Sequence, residues 1–328
     1  MRIGIVGFGS IARRHLQNIR LLKPKARIVV CHLYSRGRET PAEADETVYG
    51  LESLAAKKPE VAFLTGPATT HLLSGLAMLA CGADIFVEKP IAHTLEGLDQ
   101  LEAACQQADR LLMLGYNLRF HRPLQVLKDI VESGKIGRVQ SARLEVGQYL
   151  PDWRPHLDYR QSVTARRELG GGVLLEISHE IDYLRWILGD FSAVWGRVER
   201  LGDLEIDVED TAEMILTGQN RAAISLHLDM LQRSSRRVFQ IHGSEGSLIW
   251  KYGEPGIKLY LAQEGAWQEI AVQSGIERND MYVAELQHFF ECVESRRQPC
   301  IGYKDGHRVL EVIAAVRRSS QDGCEVAL

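Results

Sequence analysis

The feature that most constrains the fold is a regular alternation of short apolar runs and helical stretches over the first 120 residues. Runs such as IFV at 85–87 are continuously apolar, which is typical of strands buried on both faces. Between the runs, apolar residues recur at intervals of three to four, as at Leu95, Leu98 and Leu101. Strands that alternate with helices in this way predict a parallel, doubly wound α/β sheet.

The first apolar run leads into a glycine-rich loop, GFGSIA at residues 7–12, which opens a helical stretch. The order strand, G-x-G-x-x-A, helix is the context in which this motif binds a dinucleotide. The glycines let the backbone approach a pyrophosphate, and the helix N-terminus supplies N–H donors. The alternative is a glycine turn that holds no ligand. We predict a Rossmann domain with cofactor contacts from Gly7, Gly9, Ser10 and Ile11.

The end of the second apolar run bears on which dinucleotide is favoured. Domains that bind NAD usually place Asp or Glu there to hold the ribose 2′-hydroxyl. Here no carboxylate appears before Glu39, and Ser35 with Arg36 could hold a 2′-phosphate, with Arg38 in support. The alternative is a plain exposed basic loop. We predict NADP as the preferred cofactor and NAD as the alternative.

The pattern changes after about residue 120. Strand-like runs punctuated by Gly, Asn and Asp follow one another over 139–273, and helical stretches interrupt the pattern at 123–134 and 171–189. This predicts an α+β domain with a large open, mostly antiparallel sheet and helices to one side. Two closing helices are expected at 280–296 and 304–320. The predicted domains are therefore 1–120 and 121–328, with the closing helices in the second.

Composition excludes several classes of function. The chain has 39 basic and 43 acidic residues, a net charge of −4, and lacks the basic stripe of a nucleic-acid binder. Its six cysteines have no C-x-x-C spacing and no clustered histidines, which argues against a zinc site and a disulfide framework. No apolar run approaches the roughly 20 residues of a membrane span, and the sequence opens on a strand rather than a signal peptide. We expect a cytoplasmic protein with no metal, membrane or nucleic-acid partner.

Two opposite charges, Glu88 and Lys89, end the buried run at 85–87 and are followed by Pro90. Charged residues are rarely buried unless they are paired or used. In a parallel sheet this position lies at the carboxyl edge, where open α/β sheets bind their ligands. The alternative is a structural ion pair in a loop. We predict Lys89 as the first catalytic candidate, and Glu88 as its local partner or as a support for the loop beside the cofactor.

The second catalytic candidate lies in the helical stretch that follows the glycines at 170–172. Glu176, His179 and Glu180 fall at helical spacing, which places them on one helix face. A histidine with carboxylate neighbours is suited to general acid or base catalysis near neutral pH. We predict His179 as catalytic. Glu176 is either a catalytic partner that orients the substrate or a capping or pairing residue of the helix.

The whole chain resembles the Gfo/Idh/MocA family, named for glucose–fructose oxidoreductase and inositol dehydrogenase. The resemblance rests on GFGSIARRH at 7–15, TGPATTH at 65–71, VEKP at 87–90, GYNLRFH at 115–121, GGGVLLEISHEIDYLRWILG at 170–189, HGSEGSLIW at 242–250 and DMYVAELQHFFECV at 280–293. Family members join a Rossmann domain to an open-faced sheet domain and are often oligomeric through that sheet. Most oxidise or reduce a carbinol carbon of sugars, inositols and related compounds with NAD(P). The resemblance implies this activity and a homo-oligomer, a dimer or tetramer, assembled through the second domain.

The resemblance also implies roles for the two catalytic candidates. Lys89 matches the lysine of the family's E-K-P motif, which contacts the reacting hydroxyl, and the bond to Pro90 is commonly cis in the family. The family's usual Asp precedes the histidine by four residues, whereas here the carboxylate is Glu176, three residues before His179. The departure leaves the role of Glu176 open. The H-x-x-D continuation to Asp182 is kept, with a structural role equally open.

Further positions match family segments near the cofactor and the substrate. Gly66, Pro67 and His71 match the loop beside the ribose and nicotinamide, although His71 could simply cap the next helix. Asn117 and Arg119 match a segment that lines the substrate cleft. For Arg119 the alternative is an ion pair between domains.

The stretch 152–172 is the most suited to contact a substrate. Arginines bind carboxylates and phosphates in a bidentate manner, and aromatic rings stack on sugar faces. The alternative is a solvated loop in which Asp152, Asp158 and Glu168 are counter-charges. We predict a carbohydrate-like substrate and favour an acidic one, such as a sugar acid or a nucleotide sugar. The expected substrate contacts are Trp153, Arg154, Arg160 and Arg166.

Three classes of function fit these features. The favoured one is an NAD(P)-dependent dehydrogenase or reductase of CH–OH groups in a sugar, sugar acid, nucleotide sugar or cyclitol. A second is a glycosidase that holds NAD and cleaves by oxidation, elimination and re-reduction, as a few relatives of the family do. A third is a non-catalytic dinucleotide sensor, against which the presence of both Lys89 and His179 argues.

Overall fold

The computed structural model describes residues 1–33, 37, 40–272 and 277–328, and these form two compact units. The first unit contains residues 1–117 and 278–310, and the second contains 118–277 and 311–328. The sequence predicted a division near residue 120, with every later residue in the second domain. The structure differs in placing residues 278–310 with the first unit.

Parallel strands form the sheet of the first unit, in the order β3-β2-β1-β4-β5-β6. The strands are β1 (Arg2–Val6), β2 (Arg27–His32), β3 (Glu46–Tyr49), β4 (Val61–Leu64), β5 (Asp84–Glu88) and β6 (Leu112–Gly115). The chain builds outward from β1 in one direction and then restarts at β4 in the other. This reversal is the strand order of dinucleotide-binding Rossmann sheets. The predicted parallel α/β fold is confirmed.

Helices follow the strands of this sheet. They are α1 (Ser10–Leu22), α2 (Leu51–Ala55), α3 (His71–Ala80) and α4 (Leu98–Gln107). The buried face of α1 carries Leu16 and Ile19, as expected for an amphipathic helix. His15 shares that face and is fully buried, so a polar side chain enters an otherwise apolar contact.

The second unit contains a large mixed sheet in the order β14-β13-β12-β11-β7-β10-β9-β8-β15. Its strands are β7 (Val139–Gly147), β8 (Ala193–Glu199), β9 (Thr211–Thr217), β10 (Ala223–Asp229), β11 (Arg236–Gly243), β12 (Gly246–Lys251), β13 (Gly256–Leu261), β14 (Ala266–Ala271) and β15 (Val326–Ala327). Strands β7 and β10 pair in parallel, and the remaining neighbours pair antiparallel. The predicted mostly antiparallel sheet is confirmed.

Alternation along the strands distinguishes the two faces of this sheet. In β9 the side chains of Ala212, Met214 and Leu216 are buried, whereas Glu213 and Ile215 are exposed. The period of two follows from the pleat of a strand. At β9, one face of the sheet therefore contributes to a core, and the other is exposed among the residues that the structure describes.

The second unit also contains helices, which are α5 (Arg122–Glu132), α6 (Leu150–Trp153), α7 (Val173–Glu176) and α8 (His179–Leu188). Helix α8 packs on the sheet through Tyr183, whose ring centroid lies 5.9 Å from that of Phe239 and 6.4 Å from that of Trp250. The helical stretch expected over 171–189 is interrupted before His179. Ile177 leaves the helical dihedral range there, with φ −103° and ψ 28°.

The last two helices are α9 (Asp280–Ser295) and α10 (Tyr303–Asp322), close to the predicted 280–296 and 304–320. Helix α9 belongs to the first unit because its aromatic side chains pack on that sheet. The rings of Phe289 and Phe290 lie 5.8 and 6.1 Å from that of Phe63. Asn279, before α9, also exchanges hydrogen bonds of 3.2 and 2.9 Å with Asn18 of α1. Over the described residues, no helix has the length and apolar character that crossing a bilayer requires.

Candidate active site

The glycine-rich loop has the backbone shape that a dinucleotide requires. Gly7 has a φ of +84°, and a Cβ at this position would lie 2.7 Å from the Cα of Gly66, so only glycine fits. Among the described residues, no atom beyond the two chain neighbours lies within 4 Å of where a Cβ of Gly9 would be, so the backbone is open at that point. Helix α1 begins at Ser10, immediately after Gly9, and directs its first N–H groups toward the loop. These features fit a pyrophosphate.

Aromatic and cationic side chains flank this loop beside the end of β2. The ring of His32 stacks on Tyr49 at 6.0 Å and contacts Phe8 edge-on at 6.0 Å. The guanidinium of Arg13 lies over Phe8 at 4.7 Å. Leu33 follows β2, so the described part of this strand end carries no carboxylate. The predicted contacts Ser35 and Arg36, and the supporting Arg38, lie outside the described residues.

The Glu88-Lys89-Pro90 segment ends β5 at the carboxyl edge of the same parallel sheet. The Lys89–Pro90 peptide bond is cis, as the family resemblance implied. One carboxylate oxygen of Glu88 lies 2.5 Å from Nε2 of His15, and the other accepts the backbone N–H of Lys89 at 3.2 Å. Glu88 therefore connects helix α1 to the backbone of Lys89. The predicted position of Lys89 at the ligand-binding edge agrees with the structure, and its catalytic role stays a prediction.

The loop from Gly66 to His71 lies beside the glycine-rich loop. Thr65 donates its hydroxyl hydrogen to the carbonyls of Val6 at 2.9 Å and Gly7 at 3.1 Å, which joins the two loops. A 3-10 turn follows Pro67, and His71 begins α3. The ring of His71 is 1% exposed and contacts two backbone carbonyls, so it does more than cap the helix. Burial lowers its pKa.

The candidate acid–base residues of the second unit lie at the junction of α7 and α8. Glu176 ends α7 and His179 begins α8, and both are partly exposed. Glu180, the next residue, is fully buried, and one of its carboxylate oxygens lies 2.9 Å from Nε of Arg237. The break at Ile177 separates Glu176 from α8, so the expected shared helix face does not extend across the junction.

Arg119 and Asp182 form a buried ion pair within the second unit. Nε and Nη2 of Arg119 donate to the two carboxylate oxygens of Asp182 at 2.8 and 2.6 Å. Such bidentate geometry is the strongest form of this contact. Asp182 therefore has a structural contact, and both residues of the ion pair belong to the second unit. The predicted substrate role of Arg119 stays a prediction, as does that of Asn117, which is buried at the start of a 3-10 turn.

In the stretch predicted to contact the substrate, some arginines form ion pairs and others are exposed to solvent. Arg160 donates to Asp158 at 2.9 Å and to Glu205 at 3.4 Å, and the Arg160 guanidinium lowers the pKa of Asp158. The indole N–H of Trp153 donates to the carbonyl of Gln148 at 2.9 Å. Arg154 and Arg166, the other two predicted contacts, are exposed. The counter-charge alternative thus applies to Arg160, while Arg154 and Arg166 are the arginines open to a ligand.

The roles of His15, His121 and Arg237 were not predicted from the sequence. His15 occupies a position of the apolar periodicity of α1, and a polar residue in such a stripe was the available signal. His121 lies 5.7 Å from Trp250, ring to ring, and burial lowers its pKa to about 4. Arg237 gave no sequence signal, because its contact with Glu180 joins residues far apart in the chain. In the described ranges, no cluster of three or more His, Cys, Asp or Glu side chains could hold a metal ion.

Comparison with known proteins identifies the family. The description "Oxidoreductase family, NAD-binding Rossmann fold" matches residues 1–116, and "GFO/IDH/MocA C-terminal domain" matches residues 124–249. The fold and the site thus define an NAD-binding Rossmann oxidoreductase. The chain belongs to the Gfo/Idh/MocA family, which confirms the resemblance seen in the sequence.

Two relatives that match along nearly their whole length are named as sugar or cyclitol enzymes. Myo-inositol 2-dehydrogenase of Thermotoga maritima is 26% identical over 100% of this chain and 98% of the relative. The 1,5-anhydro-D-fructose reductase of Ensifer adhaerens is 26% identical over 98% of this chain and 97% of the relative. Among solved structures, levoglucosan dehydrogenase in complex with NADH has a TM-score of 0.88 at 21% identity, and the match covers 100% of this chain and 98% of that one. The structural match establishes the fold.

Proposed function

We propose that this protein transfers a hydride between a nicotinamide dinucleotide and a CH–OH carbon of a sugar or cyclitol. One observation carries the proposal. The glycine-rich loop after β1 and the Glu88-Lys89-Pro90 segment after β5 lie at the carboxyl edge of one parallel sheet. That edge, beside the reversal of strand order between β1 and β4, is where open α/β sheets bind dinucleotides. The names of the inositol dehydrogenase and the anhydrofructose reductase described above support the class of substrate.

The proposed chemistry requires few groups from the protein. The nicotinamide accepts or gives the hydride when it is bound. Lys89 donates a hydrogen bond to the reacting hydroxyl and stabilises the negative charge that develops on its oxygen. His179 accepts the hydroxyl proton in the oxidation and returns it in the reduction. Glu176, which ends α7 next to the junction, orients the substrate or the imidazole of His179.

The proposed cofactor preference is for NADP over NAD. It is supported by the absence of a carboxylate at the described end of β2, where Leu33 follows His32. Ser35 and Arg36 then supply a hydroxyl and a guanidinium for a 2′-phosphate. If instead the two dinucleotides bind equally well, the preference is refuted while the hydride-transfer proposal stands.

The proposed substrate is carbohydrate-like, and an acidic one is favoured. Arg154 and Arg166 support this choice, because both are exposed within a stretch that also contains Trp153. We also propose that the protein is cytoplasmic and forms a homo-oligomer, a dimer or tetramer, through the open face of the second unit's sheet. Exposed apolar residues on β8 and β9, Trp195 and Ile215, support this assembly.

The proposal is tested by following nicotinamide absorbance with a panel of sugars, sugar acids, nucleotide sugars and cyclitols, each with NAD and NADP. Wild type is compared with Lys89→Ala and His179→Ala, and Lys25→Ala, at an exposed site, serves as the matched control. We expect turnover in wild type and control and strong losses in the other two. Cleavage of a glycoside without net change in the cofactor would instead identify the oxidation–elimination glycosidase. Dinucleotide binding without turnover of any substrate would point to a sensor.

A further inference from the structure

The ring of His71 contacts a hydrogen-bond acceptor through each of its nitrogens. Nδ1 lies 2.9 Å from the carbonyl oxygen of Pro90, and Nε2 lies 2.9 Å from that of Gly66. A neutral imidazole carries one N–H and can donate to one of these carbonyls. An imidazolium carries two N–H groups and can donate to both. Both contacts can therefore be hydrogen bonds at the same time only when the ring is protonated.

The two carbonyls belong to the two segments that form the candidate site of the first unit. Gly66 lies against Gly7, where a Cβ would come within 2.7 Å of the Gly66 Cα. Pro90 directly follows Lys89. The ring of His71 thus joins the neighbour of the glycine-rich loop to the segment that carries the proposed catalytic lysine. A second connection runs from His15 of α1 through the Glu88 carboxylate to the N–H of Lys89.

The charges around His71 set when it can be protonated. Burial opposes protonation, whereas the carbonyls of Pro90 and Gly66 and the carboxylate of Glu88 favour it. Around Glu88 lie the imidazole of His15 from α1 and, from α9, the phenol of Tyr282, whose pKa burial and Glu88 raise. The ammonium of Lys89 is in the adjoining segment. Because burial prevails, the second hydrogen bond of His71 is expected to form as the pH falls below neutral.

We propose that His71 is a positioning residue that holds the Gly66 loop and the Lys89–Pro90 segment together. Its ring donates one hydrogen bond, to one of the two segments, when it is neutral, and one to each segment when it is protonated. Its functional consequence rests on the proposed role of Lys89. The two contacts of His71 lie within the first unit, so they do not depend on the substrate or on the reaction.

The direct test is nuclear magnetic resonance of the full chain, labelled with ¹⁵N in histidine rings and in backbone amides, without cofactor. His71→Gln assigns the His71 ring signals, and His156→Gln, at an exposed site, is the matched control. On lowering the pH we expect the His71 ring to change from one protonated nitrogen to two. The amide signals of Gly66 and Ile91 should shift with the same midpoint in wild type and control, but not in His71→Gln. A ring that stays neutral until the protein unfolds, or that protonates without a change at both segments, would overturn the proposal.

Kinetics then separates positioning from a merely structural role. With a substrate from the panel, we expect His71→Leu to lower kcat by roughly 10–100-fold, because it removes the two contacts that join the Gly66 loop to the lysine segment. His71→Gln keeps one donor and should recover part of kcat, while the change in kcat that follows the midpoint of His71 protonation in wild type should be absent. Equal kcat and an identical pH profile in all three proteins would contradict the proposal. If wild type turns over no substrate, the hydride-transfer proposal fails, and the resonance experiment still decides the role of His71.

Discussion

Arg119 and Asp182 form a two-bond ion pair inside the second unit, with N–O distances of 2.8 and 2.6 Å. The pair fixes the first turns of α8 to the turn that contains Arg119. His179 is the first residue of α8, so this contact holds the helix that carries its imidazole. The carboxylate that follows His179 by three residues thus acts in this structure as an anchor for the helix.

We predict that Asp182→Ala lowers the free energy of unfolding by about 3–5 kcal/mol, because the guanidinium of Arg119 stays buried without its counter-charge. Denaturant unfolding monitored by circular dichroism measures the change. Asp158→Ala removes the exposed partner of Arg160 and is the matched control, for which no measurable change is expected. A loss at Asp182 no larger than that at Asp158 would show that the buried pair does not anchor α8.

We predict that Gly7→Ala abolishes tight dinucleotide binding. The new Cβ would meet the backbone of Gly66 at 2.7 Å, and the φ of +84° adds strain of about 1–3 kcal/mol. Gly253→Ala has a similar φ of +86° but open space around the Cβ, so it isolates the strain from the clash. Titration of NADH fluorescence should show lost affinity in Gly7→Ala and wild-type affinity in Gly253→Ala. Normal NADH binding by Gly7→Ala would place the dinucleotide elsewhere.

We predict that the double substitution Ser35→Ala/Arg36→Ala weakens NADPH binding by about tenfold or more, since charge-assisted hydrogen bonds to a phosphate contribute about 1.5–3 kcal/mol. NADH lacks that phosphate, so its affinity should not change. Calorimetric titration with both dinucleotides measures the two dissociation constants. Arg27→Ala, an exposed arginine at the opposite end of β2, is the control. Unchanged NADPH affinity in the double variant would remove the basis for the NADP preference.

We predict that two histidines of the second unit give opposite pH dependences of stability. The pKa of His121 is lowered to about 4, mainly by burial, so its unfolded form binds a proton first. Its contribution is complete above about pH 6.5 and lost toward pH 4, a change of up to about 3 kcal/mol. His121→Phe keeps the ring beside Trp250 and should flatten this acid limb in urea unfolding. An acid limb unchanged by the substitution would contradict the assignment.

The pKa of His227 is raised to about 9, first by its hydrogen bond to Asp229 and then by Glu213. Its imidazolium therefore stabilises the fold fully below about pH 6.5, and the contribution is lost as the pH rises through about 9. His227→Gln should flatten the alkaline side of the stability curve and leave the acid side unchanged. The two variants thus serve as controls for each other.

Local sequence patterns were sufficient to predict the helices and strands. They were less informative about which elements pack against each other. The apolar runs and the helical periodicity predicted the parallel sheet, and the strand-like runs punctuated by Gly, Asn and Asp predicted the mostly antiparallel sheet of the second unit. The same reasoning found α9 but assigned it to the second domain. An apolar helix face does not reveal which core it covers, and here Phe289 and Phe290 pack against Phe63, more than 200 residues earlier in the chain.

The site shows the same limit. The loop at 7–12 and the segment at 88–90 could be predicted from the sequence, because each motif consists of residues that are adjacent in the chain. The contacts of Glu88 with His15 and of Glu180 with Arg237 join residues that are distant in sequence, and neither was predicted. The break at Ile177 was missed because the residues around it have helical spacing, while its dihedral angles depend on packing.

The catalytic role proposed for Lys89 is decided by comparing the turnover of Lys89→Met with its affinity for the dinucleotide. Methionine keeps much of the volume of the lysine side chain and removes its charge, so binding at the glycine-rich loop should persist. We predict that kcat/KM falls by about 10²–10⁴-fold while the dissociation constant for the dinucleotide changes little. Wild-type turnover by Lys89→Met would show that the lysine at the end of β5 does not act on the reacting hydroxyl.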